Sequence, residues 1–278
     1  LESAIYIVAT PIGNLSDITL RAIEVLKAVD VVAAEDTRHT RKLLEHYGIA
    51  TKMISLHEHN ESEKSAYIIG LVKEGQSVAL VSDAGTPLIS DPGYTLVLRA
   101  KESGVLVRPI PGASALIAAL CASGVASDTF IFEGFLPAKK KAKEEVLQSY
   151  LAERRTVIFY ESPHRILVTL EAMSDVLAGR KLCVARELTK RYETIKYGEV
   201  SEVLAWMKAD EDQTRGEFVL VLEGSQEEPL SVSDEQKLKL LARLLLELPP
   251  KKASAVVADV VGGSKKEIYN LALSLKEK

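Results

Sequence analysis

Cysteine is nearly missing from this chain. Among 278 residues only Cys121 and Cys183 occur. Two cysteines cannot staple a chain of this length, so a disulfide scaffold is excluded, and a reduced, cytoplasmic compartment fits best. Both lie in apolar runs and are expected in the core. Tryptophan occurs once and phenylalanine five times, so the core must be built mainly from aliphatic side chains. No stretch reads as a membrane span. Pro109 to Ser127 carries no charge, but it holds two prolines, two glycines and three serines. A spanning helix needs about 20 predominantly apolar residues, so this stretch is expected to be a loop followed by a buried helix. Leu1-Glu2-Ser3 brings an acid and no basic segment, and no signal peptide is expected. The glycine fingerprint of dinucleotide folds, the phosphate-binding P-loop and the G-x-S-x-G nucleophile elbow are all absent, which argues against the chemistries they carry.

What is present is a globular composition. Hydrophobic residues make up 47% and the net charge is only −4. That is enough apolar material for a core, and it excludes disorder over most of the chain. The length suggests two domains with a small appendage. Charge is distributed unevenly. Glu235 to Lys278 holds nine basic and five acidic residues, a surplus of four, which leaves the rest of the chain at −8. An acidic body with a basic tail points to a polyanionic partner or to a solvated helical surface.

Short apolar runs alternate with helical periodicity through the first 120 residues. Strands are expected at Ile5–Ala9, Val31–Ala34, Met53–Leu56, Val78–Val81 and Val105–Ile110. Helices follow at Thr19–Val29, from Thr37 or Thr40 to His46, at Glu61–Lys73 and from Asp91-Pro92. This rhythm means an α/β domain with a mostly parallel sheet. Residues 121–225 read as a second α/β domain with a mixed sheet. Its strands are expected at Thr129–Phe132, Thr156–Tyr160, Leu182–Ala185, Thr194–Val200 and Phe218–Leu222. Helices are expected near Leu147 and between Ile166 and Leu177, and a basic turn runs from Lys139 to Lys143. Ser225 to Ser233 reads as a linker that opens a C-terminal extension, residues 226–278. Three helical patterns follow. Val261-Gly262-Gly263-Ser264 separates the last two, and Ser264 with Glu267 forms a capping box. The outline is a helix-turn-helix or a simple helical hairpin.

In a parallel sheet the strand ends converge on one edge, where ligands bind. The residues that follow the five strands are Pro11-Ile12-Gly13, Glu35-Asp36-Thr37-Arg38, His57-Glu58-His59-Asn60-Glu61, Asp83-Ala84-Gly85-Thr86-Pro87 and Pro111-Gly112-Ala113-Ser114. Gly13, Gly85 and Gly112 are expected to let the backbone approach a ligand and present N–H groups to it. His57 and His59 lack a third well-spaced partner, so substrate contact is preferred over a metal.

Together these loops resemble the tetrapyrrole-methylase superfamily of S-adenosylmethionine-dependent enzymes, and within it the ribosomal RNA small subunit methyltransferase I family. The resemblance rests on Val8-Ala9-Thr10-Pro11-Ile12-Gly13-Asn14-Leu15, Ala34-Glu35-Asp36-Thr37-Arg38 and Leu56-His57-Glu58-His59-Asn60-Glu61. It rests equally on Ser82-Asp83-Ala84-Gly85-Thr86-Pro87-Leu88-Ile89-Ser90-Asp91-Pro92-Gly93, Pro111-Gly112-Ala113-Ser114-Ala115 and Phe159-Tyr160-Glu161-Ser162-Pro163-His164-Arg165. It implies two α/β domains with a methyl-donor cleft between them, a homodimer and an RNA-holding C-terminal extension. It implies 2′-O-methylation of a cytidine ribose in the decoding region of small-subunit ribosomal RNA, on naked RNA or the assembled subunit. Carried over by position, the donor contacts fall on Pro11, Ile12, Ala84, Gly85, Thr86, Ile89, Ser114, Ala115, Tyr160 and Ala185. The superfamily's Gly-Asp-Pro stands here as Gly85-Thr86-Pro87, which questions a side-chain role at that position.

A ribose hydroxyl is a weak acid, so methyl transfer to it gains from a general base. Glu35, Asp36, His57, His59, Glu161 and the Arg186-Glu187-Lys190 group are candidates. The Glu35-Asp36 pair and Glu187 are preferred, with Arg38, Arg165, Arg186 and Lys190 holding phosphate or ribose. Lys251, Lys252, Lys265 and Lys266 are expected to grip flanking phosphates. A tetrapyrrole methylase and a non-enzymatic RNA-binding module are the competing readings. The lysine-rich segments disfavour the first, and the clustered edge loops disfavour the second.

Overall fold

The computed structural model describes residues 1–226 and 234–276, so most of the expected linker, Ser225 to Ser233, lies outside the described residues. Leu1–Ser225 forms one compact unit and the C-terminal residues from Gln226 form another.

The first sheet contains β1 (Ile5–Val8), β2 (Val31–Ala34), β3 (Lys52–Ser55), β4 (Val78–Val81) and β5 (Val107–Ile110), in the order β3-β2-β4-β1-β5. Every pairing is parallel. Val-Val-Ala-Ala in β2 and Val-Ala-Leu-Val in β4 are buried at every position. These central strands are covered on both faces, which is why they read as continuous apolar runs. Helices α1 (Leu20–Ala28) and α2 (Thr37–His46) cover one face through Leu26, Leu43 and Leu44. Helices α3 (Glu61–Lys73) and α4 (Tyr94–Glu102) cover the other through Ile68, Val72 and Leu96.

The second sheet contains β6 (Phe130–Phe135), β7 (Thr156–Glu161), β8 (Lys181–Arg186), β9 (Thr194–Glu199) and β10 (Phe218–Leu222), in the order β6-β7-β10-β8-β9. It is mixed. β6 and β7 run parallel and the remaining pairs antiparallel. Helices α6 (Lys140–Ser149), α7 (Ile166–Val176) and α8 (Val200–Lys208) pack on one face through Leu147, Leu170, Met173, Val203 and Met207. Helix α5 (Ala115–Ala122) leaves the first sheet but packs its Leu116, Ala119 and Leu120 on the second. A boundary at residue 120 therefore falls inside a helix.

Several local expectations need correction. Asp36, not a threonine, caps α2, its carboxylate accepting the Arg38 amide. Asp91-Pro92 precedes α4 rather than opening it. The helix begins at Tyr94 because the Glu61 carboxylate accepts the amides of Gly93, Thr95 and Leu96 and so fixes where the first turn forms. Cys121 is exposed on the outer side of α5, whereas Cys183 is buried. Lys143, part of the expected basic turn, is buried and donates to Thr169 Oγ1 at 2.7 Å. Thr169 in turn donates to Glu161 at 2.6 Å. Helix α8 is an element that the sequence reading does not contain.

In the C-terminal unit, α9 (Asp234–Leu245), α10 (Pro250–Val261) and α11 (Lys265–Lys276) enclose Leu241, Ala253, Val257, Ile268 and Ala272. Only the Ser264 half of the capping box is seen, accepting the Glu267 amide at 3.5 Å. Lys251 and Lys252 occupy the first turn of α10, Lys265 and Lys266 that of α11, and all four are exposed. A helix start carries partial positive charge and disfavours cations; Lys265 pairs with Asp259 at 3.0 Å.

Candidate active site in the cleft between the two sheets

The loops after β1, β4 and β5 hold one another at the carboxyl edge of the first sheet. Thr10 N donates to Gly85 O at 2.8 Å, and Gly85 N returns a bond to Thr10 O at 3.1 Å. Thr86 Oγ1 donates to Ala113 O at 3.0 Å. This corrects the role expected of the glycines. The Gly85 amide is bonded to Thr10 rather than presented to a ligand. A Cβ on Gly112 would lie 2.9 Å from Ala9 Cβ, and one on Gly13 would lie 2.5 Å from Lys190 Cγ and 2.9 Å from Leu188 O. Gly13 is thus where the two halves touch, and Asn14 N donates to Thr189 Oγ1 beside it at 3.1 Å. The missing side chains allow chain to approach chain.

Above these loops lies a cleft of about 400 Å³. Ile12, Ala84, Thr86 and Ile89 border it from the first half, and Phe135, Tyr160, Leu188 and Val219 from the second. Nine of the ten residues assigned to the donor lie on its wall, and Pro11 does not. Small side chains at Ala84, Ser114, Ala115 and Ala185 keep the space open. Ser114 is the N-cap residue of α5 and makes no side-chain capping bond, so the N–H end of that helix opens on the cleft. Tyr160 Oη accepts the Leu116 amide at 3.2 Å. Burial raises its pKa and keeps the phenol protonated, the Leu116 bond opposing this only in part.

Carboxylates gather on the first-half side. Asp91 lines the cleft. Burial pushes its carboxyl up to about 6 against a hydrogen bond from Ser82, and the charges of Glu35 and Asp83 add to the rise. Glu35 is also raised, first by burial and then by Asp83. It does not line the cleft. Nor does Asp36, which caps α2 and pairs with the exposed Arg38 at 2.7 Å. Bonds from Arg38 hold the Asp36 carboxyl well below the usual range.

On the second-half side charges are paired. Lys190 Nζ lies 2.8 Å from both Glu187 Oε1 and Glu217 Oε2. Glu187 also accepts the Glu217 amide at 2.9 Å, and Glu217 borders the cleft. Burial, the largest influence, raises the Glu187 pKa, but the Lys190 bond, the Glu217 amide and the charges of Lys190 and Arg186 together outweigh it and the net direction is down. Arg186 is buried and donates to the carbonyls of Arg215 and Tyr192. Arg165 donates to Leu136 O and pairs with Glu161 at 3.4 Å. Both arginines brace loops. The Glu161 side chain is fully buried and bonded to Thr169, so only its backbone can border the cleft. His57 is half-buried, with Nε2 3.1 Å from Asn60 Nδ2, while His59 is exposed. Among the described residues no group of three or more histidines, cysteines or carboxylates could hold a metal ion.

Among the wall residues missing from the expected site are Asp91, Glu217 and Phe135. Asp91 stands inside the long stretch Ser82 to Gly93, but Asp-Pro reads as a helix opener and its burial leaves no mark in sequence. Glu217 carries no signal. Phe135 is placed by a bulge that only strand pairing reveals.

Two layered halves around one cleft place the chain in a class: the family of tetrapyrrole (corrin/porphyrin) methylases matches residues 4–204, and the RsmI C-terminal HTH domain matches residues 231–276. Uroporphyrin-III C-methyl transferase from Thermus thermophilus, solved with S-adenyl homocysteine, shares the fold. Its TM-score is 0.55 at 18% identity, over 79% of this chain and 97% of that one. Curated relatives reach further. Ribosomal RNA small subunit methyltransferase I of Escherichia coli O157:H7 is 52% identical over 98% of this chain and 95% of its own length. That of Haemophilus influenzae is 51% identical over 100% and 99%. The chain belongs to the ribosomal RNA small subunit methyltransferase I family.

Proposed function

We propose that this chain methylates the 2′-hydroxyl of a cytidine ribose in the decoding region of small-subunit ribosomal RNA, with S-adenosylmethionine as donor. One observation carries the reading. Nine donor-assigned residues from two halves share a single wall, in a chain about half identical to the named methyltransferases over nearly its whole length.

The cleft suits the donor. About 400 Å³ falls within the range of small-molecule sites. Ile12, Leu188 and Val219 offer apolar contact, and Ser114 and Ala115 at the start of α5 offer amides to an anionic group. The donor supplies an electrophilic methyl group on a sulfonium. The chain must hold the ribose oxygen in line with it and keep water out, which the two walls do between them. Asp91 is the carboxylate best placed to take the hydroxyl proton. With a pKa of about 6 it is mostly ionised at neutral pH yet more basic than an ordinary aspartate. Glu35 acts behind it through its charge. Asp36 and Glu187 hold the loops that carry Arg38 and Lys190. Lys251, Lys252, Lys265 and Lys266 grip phosphates beside the target, which must lie single-stranded or leave its helix to reach a cleft. The reading also includes a cytoplasmic homodimer. Exposed Ile117, Ile195 and Tyr197 support an interface, and no helix among the described residues is long and apolar enough to cross a membrane.

The test is transfer of labelled methyl to assembled small subunits, naked RNA and a tetrapyrrole, followed by nuclease digestion and nucleoside chromatography. The expected product is 2′-O-methylcytidine. Label on a base, on another nucleoside or on the tetrapyrrole would overturn the assignment.

A further inference from the structure

We infer that Phe135 is a stacking platform for a nucleobase of the RNA substrate, an inference that rests on the RNA-methylating reading above. The ring is 52% exposed although the chain has only five phenylalanines. It borders the cleft and belongs to no core cluster. An exposed phenyl ring gives up burial free energy that a core position would provide.

Its position is built by local backbone geometry. Residues 132 and 135 of a regular strand would face opposite sides of the sheet. Here Phe132 pairs with Ile158, Gly134 with Phe159 and Phe135 with Tyr160, leaving Glu133 as the extra residue of a bulge. Gly134 takes φ 77° to allow it, and Glu133 is anchored on the far side by the Tyr150 hydroxyl. The bulge brings both phenylalanines to Tyr160, with ring centroids at 4.9 Å for Phe132 and 5.8 Å for Phe135. The result is a three-ring aromatic ladder that ends in the open cleft.

The opposite wall is Ile89, Ser90 and Asp91. Leu88 and Ser90 are held there at φ 73° and 66°, conformations that cost a non-glycine residue about 1 kcal/mol or more. Ser90 Oγ would lie 3.3 Å from a Cβ on Gly134, so the bulge and this loop adjoin. An apolar ring face beside a hydroxyl and a carboxylate suits a planar heterocycle with a polar edge. Two such groups enter this chemistry, the donor's adenine and a base of the RNA. The sheet order sets Phe135 apart from the far end of the donor contacts, with Tyr160 of β7 standing between the two places. Phe135 lies on edge strand β6, and Ala185 lies three strands away on β8, roughly 14 Å at the usual strand spacing. Ala185, Leu188 and Val219 are buried and form the enclosed end. Phe135 forms the accessible end, where a nucleotide splayed from RNA arrives.

The variants Phe135→Ala, Phe135→Leu and Phe135→Trp test this in the full chain. Donor affinity is read by calorimetry, and kcat and KM on small subunits by labelled-methyl transfer. Folding is checked by thermal melting. Alanine and leucine should lower kcat/KM by about 10- to 100-fold, as loss of one base stack does. Donor Kd should stay within twofold, and tryptophan should restore activity to within a few-fold. A parallel loss of donor affinity would assign the ring to adenine and overturn the proposal. Full activity in the leucine or alanine variant would overturn it as well. If the wild-type chain bound the donor but did not methylate RNA, the reading beneath the platform would fail and the platform with it.

Discussion

The two walls of the cleft are made differently. The first-sheet wall is knitted loop backbone with three carboxylates crowded behind it, of which Asp91 reaches the cleft and is held near pKa 6. The second-sheet wall is aromatic and aliphatic, and the carboxylates of Glu187 and Glu217 share the Lys190 ammonium. One side keeps a carboxylate of raised basicity, while the other offers surface. Proton transfer should therefore depend on the first wall and substrate recognition on the second.

The largest effect that would break this contrast is chemical. Asp91→Asn should lower kcat by roughly 10²- to 10⁴-fold, with donor affinity within a few-fold of the wild type. Turnover in the wild type should rise with pH through about 6, and Glu35→Gln should shift that midpoint down, because one of the charges that raises Asp91 is removed. A full-speed Asp91→Asn variant would move the base elsewhere.

Next comes the C-terminal unit. Replacing Lys251, Lys252, Lys265 and Lys266 together with glutamine should weaken RNA binding by about 10- to 100-fold near physiological salt. It should also flatten the plot of log affinity against log salt by up to about three. Donor binding should not change.

A third effect concerns stability. The Asp91 carboxyl titrates higher in the folded chain than in the unfolded one, so its ionised form opposes folding. The penalty is absent below about pH 4 and complete above about pH 6. Asp91 is only partly buried, so solvent screens part of this penalty, and Asp91→Asn should stabilise the fold by about 1–2 kcal/mol at pH 8 and by little at pH 4, measured by denaturant titration at each pH. Smaller again is Gly13→Ala, which drives a methyl group into Lys190, Thr189 and Leu188 O. It should cost roughly 1–3 kcal/mol in the same titration, by separating the walls rather than changing either one.

Much of the donor wall was legible because parallel strands bring their following loops to one edge whatever the detail. Strand order brings the loops that hold Ile12, Ala84 and Ser114 to that edge, and the family resemblance marks these three and Ala115 as donor contacts. Strands β2 and β4 were readable because burial on both faces leaves an unbroken apolar run. Other features depend on what lies opposite a residue. Gly13 and Gly112 looked like ligand contacts, but they face Lys190 and Ala9. Arg186 and Arg165 looked like phosphate grips, yet they brace carbonyls. Asp91 acquires its basicity from burial and from Glu35 and Asp83, more than 45 residues apart in sequence at the widest, and no local pattern records that.

The most direct measurement is a crystal structure of the chain with S-adenosylhomocysteine. The expected result is a ligand in the cleft, touching Ala84, Ser114 and Ala115 on one side and Tyr160, Ala185 and Leu188 on the other, with the Phe135 face left open. A ligand bound outside the cleft, or one lying across Phe135, would contradict it.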